Sequence, residues 1–202
     1  MKLGPKYKIA RRLGAEVFEK TQSPKFVLSE QKRKEKRGYR RPPSVYGTQL
    51  LAKQKVRIMY NLSEKQFSNY VKKAIDSKGN NAPEALYLLL EGRLDSVILR
   101  SGFATTRQQA RQIASHGHMK VNGTRTNVPS YQIKEGDVVS IKESSQDRTL
   151  FENLEQQVKD ITVPAWLVPD VKAKSITFKD TPTYEPTNLP FDLQTVIQFY
   201  KR

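Results

Sequence analysis

The clearest hydrophobic periodicity in the chain lies between residues 93 and 143. It begins with two predicted short helices, each with one apolar stripe and each followed by a glycine suited to the left-handed position after a helix. Either Thr105 or Thr106 can cap the second helix, because Gln108 and Gln109 follow them at the capping-box spacing. The stripes are Leu94, Val97, Ile98 and Ser101 in the first helix and Ala110, Ile113 and Ala114 in the second, and the glycines are Gly102 and Gly117.

Strand-like alternation replaces the helical spacing after the second helix. Residues 119–121 precede the pair Asn122-Gly123, which is typical of a two-residue β-hairpin turn. Residues 137–142 alternate between apolar and polar side chains and predict a further strand. The segment is therefore predicted to fold as two helices followed by a small, turn-rich β element.

Helical patterns flank this segment on both sides. Residues 48–91 are predicted to be helical, with Ser63 opening one helix as a capping residue. Residues 162–183 mix prolines with β-branched residues, which predicts short strands and turns, and Trp166 and Phe178 are expected to pack inward. A closing helix is predicted from the spacing of Leu193, Val196, Ile197 and Tyr200.

The charge of the chain is large and uneven. The 202 residues carry a formal net charge of +16. Residues 1–47 hold 14 basic and 4 acidic residues, whereas residues 144–202 hold 7 and 8. This imbalance predicts a polyanionic partner rather than a merely solvated basic surface. Residues 1–47 are expected to form an extended basic arm that orders on RNA, and the alternative is a disordered solvated tail.

Catalytic and metal chemistry find little support in the residue types present. The absence of cysteine excludes disulfides, thiolate zinc sites and cysteine nucleophiles. As metal ligands, His116 and His118 lack partners, because there is no cysteine and the nearest acidic residues are distant in sequence. As a catalytic base, either would need a nucleophile or an orienting carboxylate, so a structural or RNA-facing role is expected. No phosphate-binding glycine loop, membrane-length apolar run or secretion signal is found. We therefore expect no enzyme activity, catalytic residue, metal, cofactor, small-molecule substrate or membrane partner.

Basic and amide side chains lie on the polar sides of the two helices and around the hairpin. Such side chains can bind the phosphate groups of a nucleic acid. The predicted RNA-binding residues of this segment are Arg93, Arg100, Arg107, Gln108, Arg111, Ser115, His116, Lys120, Asn122 and Arg125. Outside it, the predicted phosphate contacts are Lys53, Arg57, Arg11, Arg12, Arg40 and Arg41.

Longer stretches of the sequence carry a family resemblance. RLDSVILRSGFATTRQQARQIASHGHMKVNG and VPSYQIKEGDVVSIK resemble the small RNA-binding domain named after small-subunit ribosomal protein four. YGTQLLAKQKVRIMYNLSEKQF and QTVIQFYKR are similar to the same ribosomal protein family. The resemblance implies an α+β fold with three parts. These are a basic N-terminal arm at 1–47, a helical domain at 48–92 plus 144–202, and an inserted RNA-binding domain at 93–143. Many members hold a zinc ion with four cysteines in the arm, so this sequence resembles the cysteine-free form.

The same resemblance implies a function. It indicates a primary rRNA-binding protein that binds a multi-helix junction in the five-prime domain of small-subunit rRNA and nucleates assembly of the subunit body. It also implies contacts with small-subunit protein five and with protein three, a place beside the mRNA entry path, and an influence on translational accuracy. The expected location is a cytoplasmic or organellar ribosome. The alternative is an RNA-modifying enzyme, or a ribosome-assembly or stress factor, that uses the same small RNA-binding domain.

Overall fold

A computed structural model of the chain describes residues 3–35, 42–77 and 81–201. It contains helices and an antiparallel sheet, which confirms the α+β fold class. None of the helices described in these ranges combines the length and the apolar character needed to cross a membrane.

The chain divides into two units, each with its own set of contacts. The first, called the helical unit below, combines Met1–Leu86 with Glu185–Arg202. The second, called the module, is the continuous segment Tyr87–Tyr184. The predicted boundary at residue 143 therefore differs from the observed division, because residues 144–184 belong to the module.

The N-terminal part of the helical unit folds into helices α1 (Lys6–Leu13) and α2 (Pro24–Glu35). The prediction of an extended arm is thus wrong for the described part of residues 1–47. Apolar side chains that are widely spaced in sequence converge here, and their burial, at about 25 cal/mol per Å², offsets the entropy lost on ordering. The small core they form consists of Ala10, Leu13, Val17, Phe18, Phe26 and Ile58.

Three helices follow in the order α3 (Val45–Met59), α4 (Glu64–Asp76) and α5 (Ala82–Glu91). The hydroxyl of Ser63 accepts a hydrogen bond from the backbone N–H of Gln66 at 3.3 Å, which confirms the predicted cap of α4. The chain passes from the helical unit into the module within α5.

The module begins with the two predicted helices, α6 (Leu94–Arg100) and α7 (Arg107–Ser115). Thr106 caps α7 by accepting a hydrogen bond from the backbone N–H of Gln109 at 3.2 Å. Gly102 follows α6 with a φ of 83°, a left-handed conformation that favours glycine.

A hairpin and a third strand come next, as predicted. Strands β1 (Met119–Val121) and β2 (Thr124–Thr126) pair in antiparallel register, and β3 (Val138–Ile141) pairs with the other edge of β1. Asn122 and Gly123 connect β1 to β2 with φ values of 49° and 80°, as a type I′ turn requires.

The last elements of the module are α8 (Leu154–Lys159), β4 (Leu167–Asp170) and β5 (Ser175–Phe178). Strand β5 pairs with β3, with Val138 opposite Thr177, and β4 pairs with β5. The sheet order is β2-β1-β3-β5-β4. The predicted strands and turns in this region are confirmed, but their assignment to the helical domain is wrong, because β5 occupies the edge of β3.

One core holds the helices and the sheet of the module together. Trp166 and Phe178 pack inward with ring centroids 5.3 Å apart, as predicted. The apolar stripes of α6 and α7 lie against the inner face of the sheet. This core includes Leu94, Val97, Ile98, Ala110, Ile113, Ala114, Met119, Val121, Val139, Ile141, Ile176 and Phe178.

The chain returns to the helical unit with α9 (Leu193–Tyr200), which packs on α3 and α4. Its contacts are largely aromatic. The ring centroids of Phe67 and Tyr200 lie 6.2 Å apart, and those of Tyr46 and Phe199 lie 5.8 Å apart. The predicted closing helix is therefore confirmed.

Candidate nucleic-acid interface

Helix α7 presents a polar face to solvent on the side opposite its buried stripe. Gln108, Ser115 and His116 are exposed, and Arg111 is partly exposed beside them. Residues 108, 111 and 115 lie one turn apart in succession, so their side chains project in similar directions. Of the predicted RNA-binding residues of the module, Gln108, Arg111 and Ser115 share this helix face, and His116 lies at the C-terminal end of the helix.

Arg93 departs from the prediction, because its side chain is buried. It is only 1% exposed, and its Nε and Nη2 donate to Oδ1 and Oδ2 of Asp95 at 2.9 and 2.6 Å. The same segment joins the loop before β3, since the backbone N–H of Leu94 donates to the carbonyl of Tyr131. The prediction that Arg93 lies on the RNA-binding surface is wrong. Its guanidinium holds the start of α6 in place.

Arg100 and Arg107 share a buried carboxylate that the sequence analysis did not single out. Glu91 is fully buried at the end of α5 and accepts two hydrogen bonds from Arg100, at 3.0 and 2.7 Å. Arg107 approaches the same carboxylate at 3.9 Å and donates to the hydroxyl of Ser96 at 2.9 Å. Both arginine side chains keep some exposure, so Glu91 fixes where their guanidinium groups can meet a phosphate.

The predicted hairpin residues also have intramolecular partners. The ammonium of Lys120 lies 2.6 Å from the Glu143 carboxylate, and the hydrogen bond from Lys120 lowers the pKa of Glu143. Asn122 bonds to Asp137 through its amide nitrogen. Arg125 donates to the carbonyl of Gly117 at 3.3 Å, where a cation stabilises the C-terminal end of α7.

In the helical unit, Lys53 and Arg57 converge on Glu64. Their nitrogens lie 2.6 and 3.3 Å from its two carboxylate oxygens, and Lys53 also lies 4.8 Å from the ring centroid of Phe199. Burial raises the pKa of Glu64, but the hydrogen bond and charge of Lys53 outweigh this, and the net effect lowers it. Burial, the charge of Glu64 and the hydrogen bond to it raise the pKa of Tyr200. Lys53 and Arg57 thus stabilise the contact of α9 with α3 and α4.

The predicted N-terminal contacts differ from one another. Arg11 is exposed and pairs with Glu30 at 3.1 Å. Arg12 is exposed, and among the described residues its guanidinium has no hydrogen bond or ion pair. Arg40 and Arg41 lie outside the described residues. Other exposed basic residues of this region, which sequence reasoning did not single out individually, are Lys8, Lys25, Lys32 and Arg33.

Metal ligation has no cluster to support it in the part of the chain that the structure describes: no group of three or more histidine or acidic side chains is placed to hold an ion. The two histidines instead form a ring pair, with centroids 6.0 Å apart. His118 is buried, and its Nδ1 lies 3.0 Å from the hydroxyl of Ser145. The expected structural role of His118 is consistent with this hydrogen bond.

Comparison with known proteins matches both units. Residues 2–91 match the model of the ribosomal protein S4/S9 N-terminal domain, and residues 92–139 match that of the S4 domain. The chain is 37% identical to the small ribosomal subunit protein uS4 of Aquifex aeolicus over 208 residues, which cover 99% of this chain and 98% of the relative. It is 38% identical to uS4 of Chromobacterium violaceum with the same coverage. It is 44% identical to uS4 of Thermotoga maritima over 158 residues, covering 78% of this chain and 75% of that protein.

Proposed function

The chain belongs to the family of small ribosomal subunit protein uS4, and on this premise we propose that it is an RNA-binding structural component of the small ribosomal subunit. The near-complete match to relatives of that name carries the proposal. It accounts for the module and for both flanking segments of the helical unit, including α9.

The exposed face of α7 is the part of the module best placed to bind rRNA. Arg111 supplies a cation next to the amide of Gln108, and His116 adds an aromatic ring at the end of the helix. Arg100 and Arg107 border this face, in positions set by Glu91. Such a face suits the phosphates and riboses of folded RNA, which is recognised mainly by shape and backbone contacts.

Exposed cations of α1 and α2 extend the interaction. Lys8, Arg12 and Lys25 are exposed. They belong to residues 1–47, which hold 14 basic and 4 acidic residues. Phosphate contacts of this kind position a protein on RNA without reading its sequence. Where RNA helices converge, added positive charge offsets the repulsion between their backbones.

A finer proposal follows from the family resemblance. The RNA bound is a multi-helix junction in the five-prime domain of small-subunit rRNA, and binding nucleates assembly of the subunit body. Neighbouring proteins five and three and the mRNA near its entry path are the further partners, and contact with protein five supports translational accuracy. The location is the ribosome, in a bacterial cytoplasm or in an organelle.

A structural role is favoured over an enzymatic one. An RNA-modifying enzyme would need a catalytic domain beside the small RNA-binding domain. Here the segments on either side of the module fold together into the helical unit. They also match uS4 relatives along almost their whole length.

A salt titration of two RNAs of equal length tests the proposal. One RNA is the five-prime-domain junction, and the other is a plain duplex. We expect the junction to stay bound at physiological salt while the duplex is released. The slope of log affinity against log salt then gives the number of phosphate contacts, at about 0.9 per contact if the duplex-DNA calibration applies. Equal and equally salt-sensitive binding to both RNAs would contradict the proposal, because it would mean generic charge attraction.

A further inference from the structure

A cleft on the module lies next to the exposed face of α7 and has no part in the proposed rRNA-binding surface. It has a volume of about 600 Å³, within the range of about 300–1,000 Å³ typical of small-ligand sites. The C-terminal half of α7 forms one wall, the turn at residues 147–150 forms the other, and His118 lies between them. The lining residues are Gln109, Gln112, Ile113, His116, His118, Asp147, Arg148, Thr149 and Leu150.

Several polar groups in this cleft have no partner within the described part of the protein. The side chains of Gln112, Asp147 and Arg148 form no hydrogen bond or ion pair there. His118 is buried, and its Nδ1 is paired with Ser145, but its Nε2 has no hydrogen-bond partner among those residues. The cleft therefore offers donors and acceptors that the protein's own folding does not use.

The chemistry of the lining selects among possible occupants. A metal ion is disfavoured, because the described residues hold no suitable cluster of ligands. A bare phosphate would be attracted by Arg148 but repelled by the carboxylate of Asp147. It would form no favourable contact with the apolar side chains of Ile113 and Leu150. A planar, uncharged group with a hydrogen-bonding edge can stack on the imidazole ring of His116, contact the apolar side chains and form hydrogen bonds with the polar side chains of the lining. A nucleobase has this combination.

We propose that the cleft between α7 and residues 147–150 is a binding site for one unpaired nucleobase of the RNA. The inference rests on the proposed RNA binding. It adds a site that contacts a base, next to a surface that is otherwise suited to phosphates. The exposed imidazole of His116 stacks on the base, and the amide of Gln112 and the carboxylate of Asp147 meet its edge. The guanidinium of Arg148 neutralises the attached phosphate.

His118 forms the base of the site in its neutral form. Burial lowers the pKa of His118, and the nearby charges of Arg148, His116, Arg125 and Lys142 lower it further. A neutral ring paired at Nδ1 presents Nε2 as a single donor or acceptor, according to its tautomer. Its position is fixed by Ser145 and by the edge-on contact with Phe151, whose ring centroid is 6.3 Å away. A fixed group of this kind can distinguish one base edge from another.

The two histidines provide a direct test, because they are the only ones in the chain and both line the cleft. The imidazole signals of the full-length protein are followed by NMR at one fixed pH while AMP, GMP, CMP or UMP is added. Ribose 5-phosphate and inorganic phosphate serve as controls. We expect at least one nucleotide to shift both signals in a saturable way. The expected dissociation constant is about 1 mM, the weak affinity of a fragment-sized ligand. Ribose 5-phosphate is expected to leave the signals unchanged at the same concentration.

Two outcomes overturn the proposal. Equal shifts with ribose 5-phosphate or phosphate would make the cleft an anion site, and no saturable shift with any nucleotide would leave it without this ligand. Thr149→Trp should fill the cleft and weaken nucleotide binding roughly tenfold or more. Thr162→Trp, at an exposed position of the module outside the cleft, is the matched control and should bind as the unmodified protein does.

Binding of the rRNA junction is measured on the same samples, so that the two proposals can fail separately. Tight junction binding without nucleotide shifts would overturn the nucleobase site alone. Nucleotide shifts without preferential junction binding would overturn the proposed function and leave the cleft as a nucleotide site. If both proposals hold, Thr149→Trp lowers junction affinity while Thr162→Trp does not.

Discussion

Arg12 and Arg93 were both predicted to contact RNA, yet they lie in opposite environments. Arg12 is exposed on α1, and within the described residues its guanidinium has no ion pair. Arg93 is 1% exposed and bonded through two nitrogens to Asp95. Arg12 adds to the positive charge on the surface of the helical unit, whereas Arg93 holds the fold of the module together. Basic composition therefore identifies the kind of partner but not the residues that touch it.

Arg100 lies between these two extremes. Its side chain remains about one-third exposed, but a fully buried carboxylate fixes its orientation. A fixed arginine loses less side-chain entropy when it binds a phosphate than a free one does, although the neighbouring carboxylate reduces its net attraction. The module thus has fewer free cations than its sequence suggests, in better-defined positions.

The largest contrast is expected between Arg93→Ala and Arg12→Ala. The first leaves Asp95 buried without its cation, which should lower the free energy of unfolding by about 3–5 kcal/mol. The second should change it by less than about 0.5 kcal/mol, as is usual at exposed positions. Urea unfolding followed by circular dichroism measures both. Fluorescence of Trp166, the single tryptophan of the chain, reports on the module alone. Equal stability losses would contradict the distinction between the two arginines.

Glu91→Gln should destabilise the module by about 1–3 kcal/mol, because it removes the charge that two partly buried arginines share. Glu152→Gln provides a matched control at an exposed position of the same unit and should have almost no effect. Unfolding monitored through Trp166 compares the two variants. A Glu91→Gln protein as stable as the control would show that the arginines do not depend on this carboxylate.

Arg111→Ala should weaken junction binding by about 1 kcal/mol with little loss of stability, since one charged hydrogen bond to phosphate is removed at a partly exposed site. Arg107→Ala should reduce both quantities, because Arg107 also bonds to Ser96. Filter binding and urea unfolding on the same preparations separate the two effects. Lys172→Ala, exposed in the turn before β5, serves as the control. Unchanged affinity of the Arg111 variant would remove this residue from the interface.

The smallest effect concerns the pH dependence of the module. Because the pKa of His118 is lowered in the folded state, the unfolded chain takes up a proton first as the pH falls below about 6.5. Protonation then favours unfolding, so the stability present at neutral pH should decrease towards pH 5. His118→Gln should show a shallower decrease over this range when unfolding is followed through Trp166. An identical pH dependence in both proteins would argue against a neutral, buried His118.

Local features were predictable from the sequence because few neighbouring residues determine them. Thr106 and Ser63 cap their helices by accepting a hydrogen bond from the backbone N–H three residues later. Asn122 and Gly123 form a two-residue turn, because asparagine and glycine readily adopt the positive φ angles that this turn requires. The apolar stripes of α6 and α7 required only helical spacing. The α+β class followed from these elements together with the family resemblance.

Features that depend on distant partners were missed. The pairing of β5 with β3 joins residues about forty positions apart, and alternation alone does not say which sheet a strand enters. Phe18, Phe26 and Ile58 form a core that only the folded N-terminal region brings together. Glu91 looks like an ordinary acid at the end of an apolar helix until Arg100 and Arg107 are placed beside it.

The discontinuity of the helical unit has a consequence for the order of synthesis. On the ribosome, residues 87–184 emerge as one uninterrupted stretch, so the module can fold as soon as β4 and β5 are available. Helix α3 has left the exit tunnel long before then, but its partner α9 is made only after the whole module. The apolar face of α3 that α9 covers therefore stays uncovered during the synthesis of the roughly 130 residues between Met59 and Leu193, and during that time it is open to chaperones or to premature association.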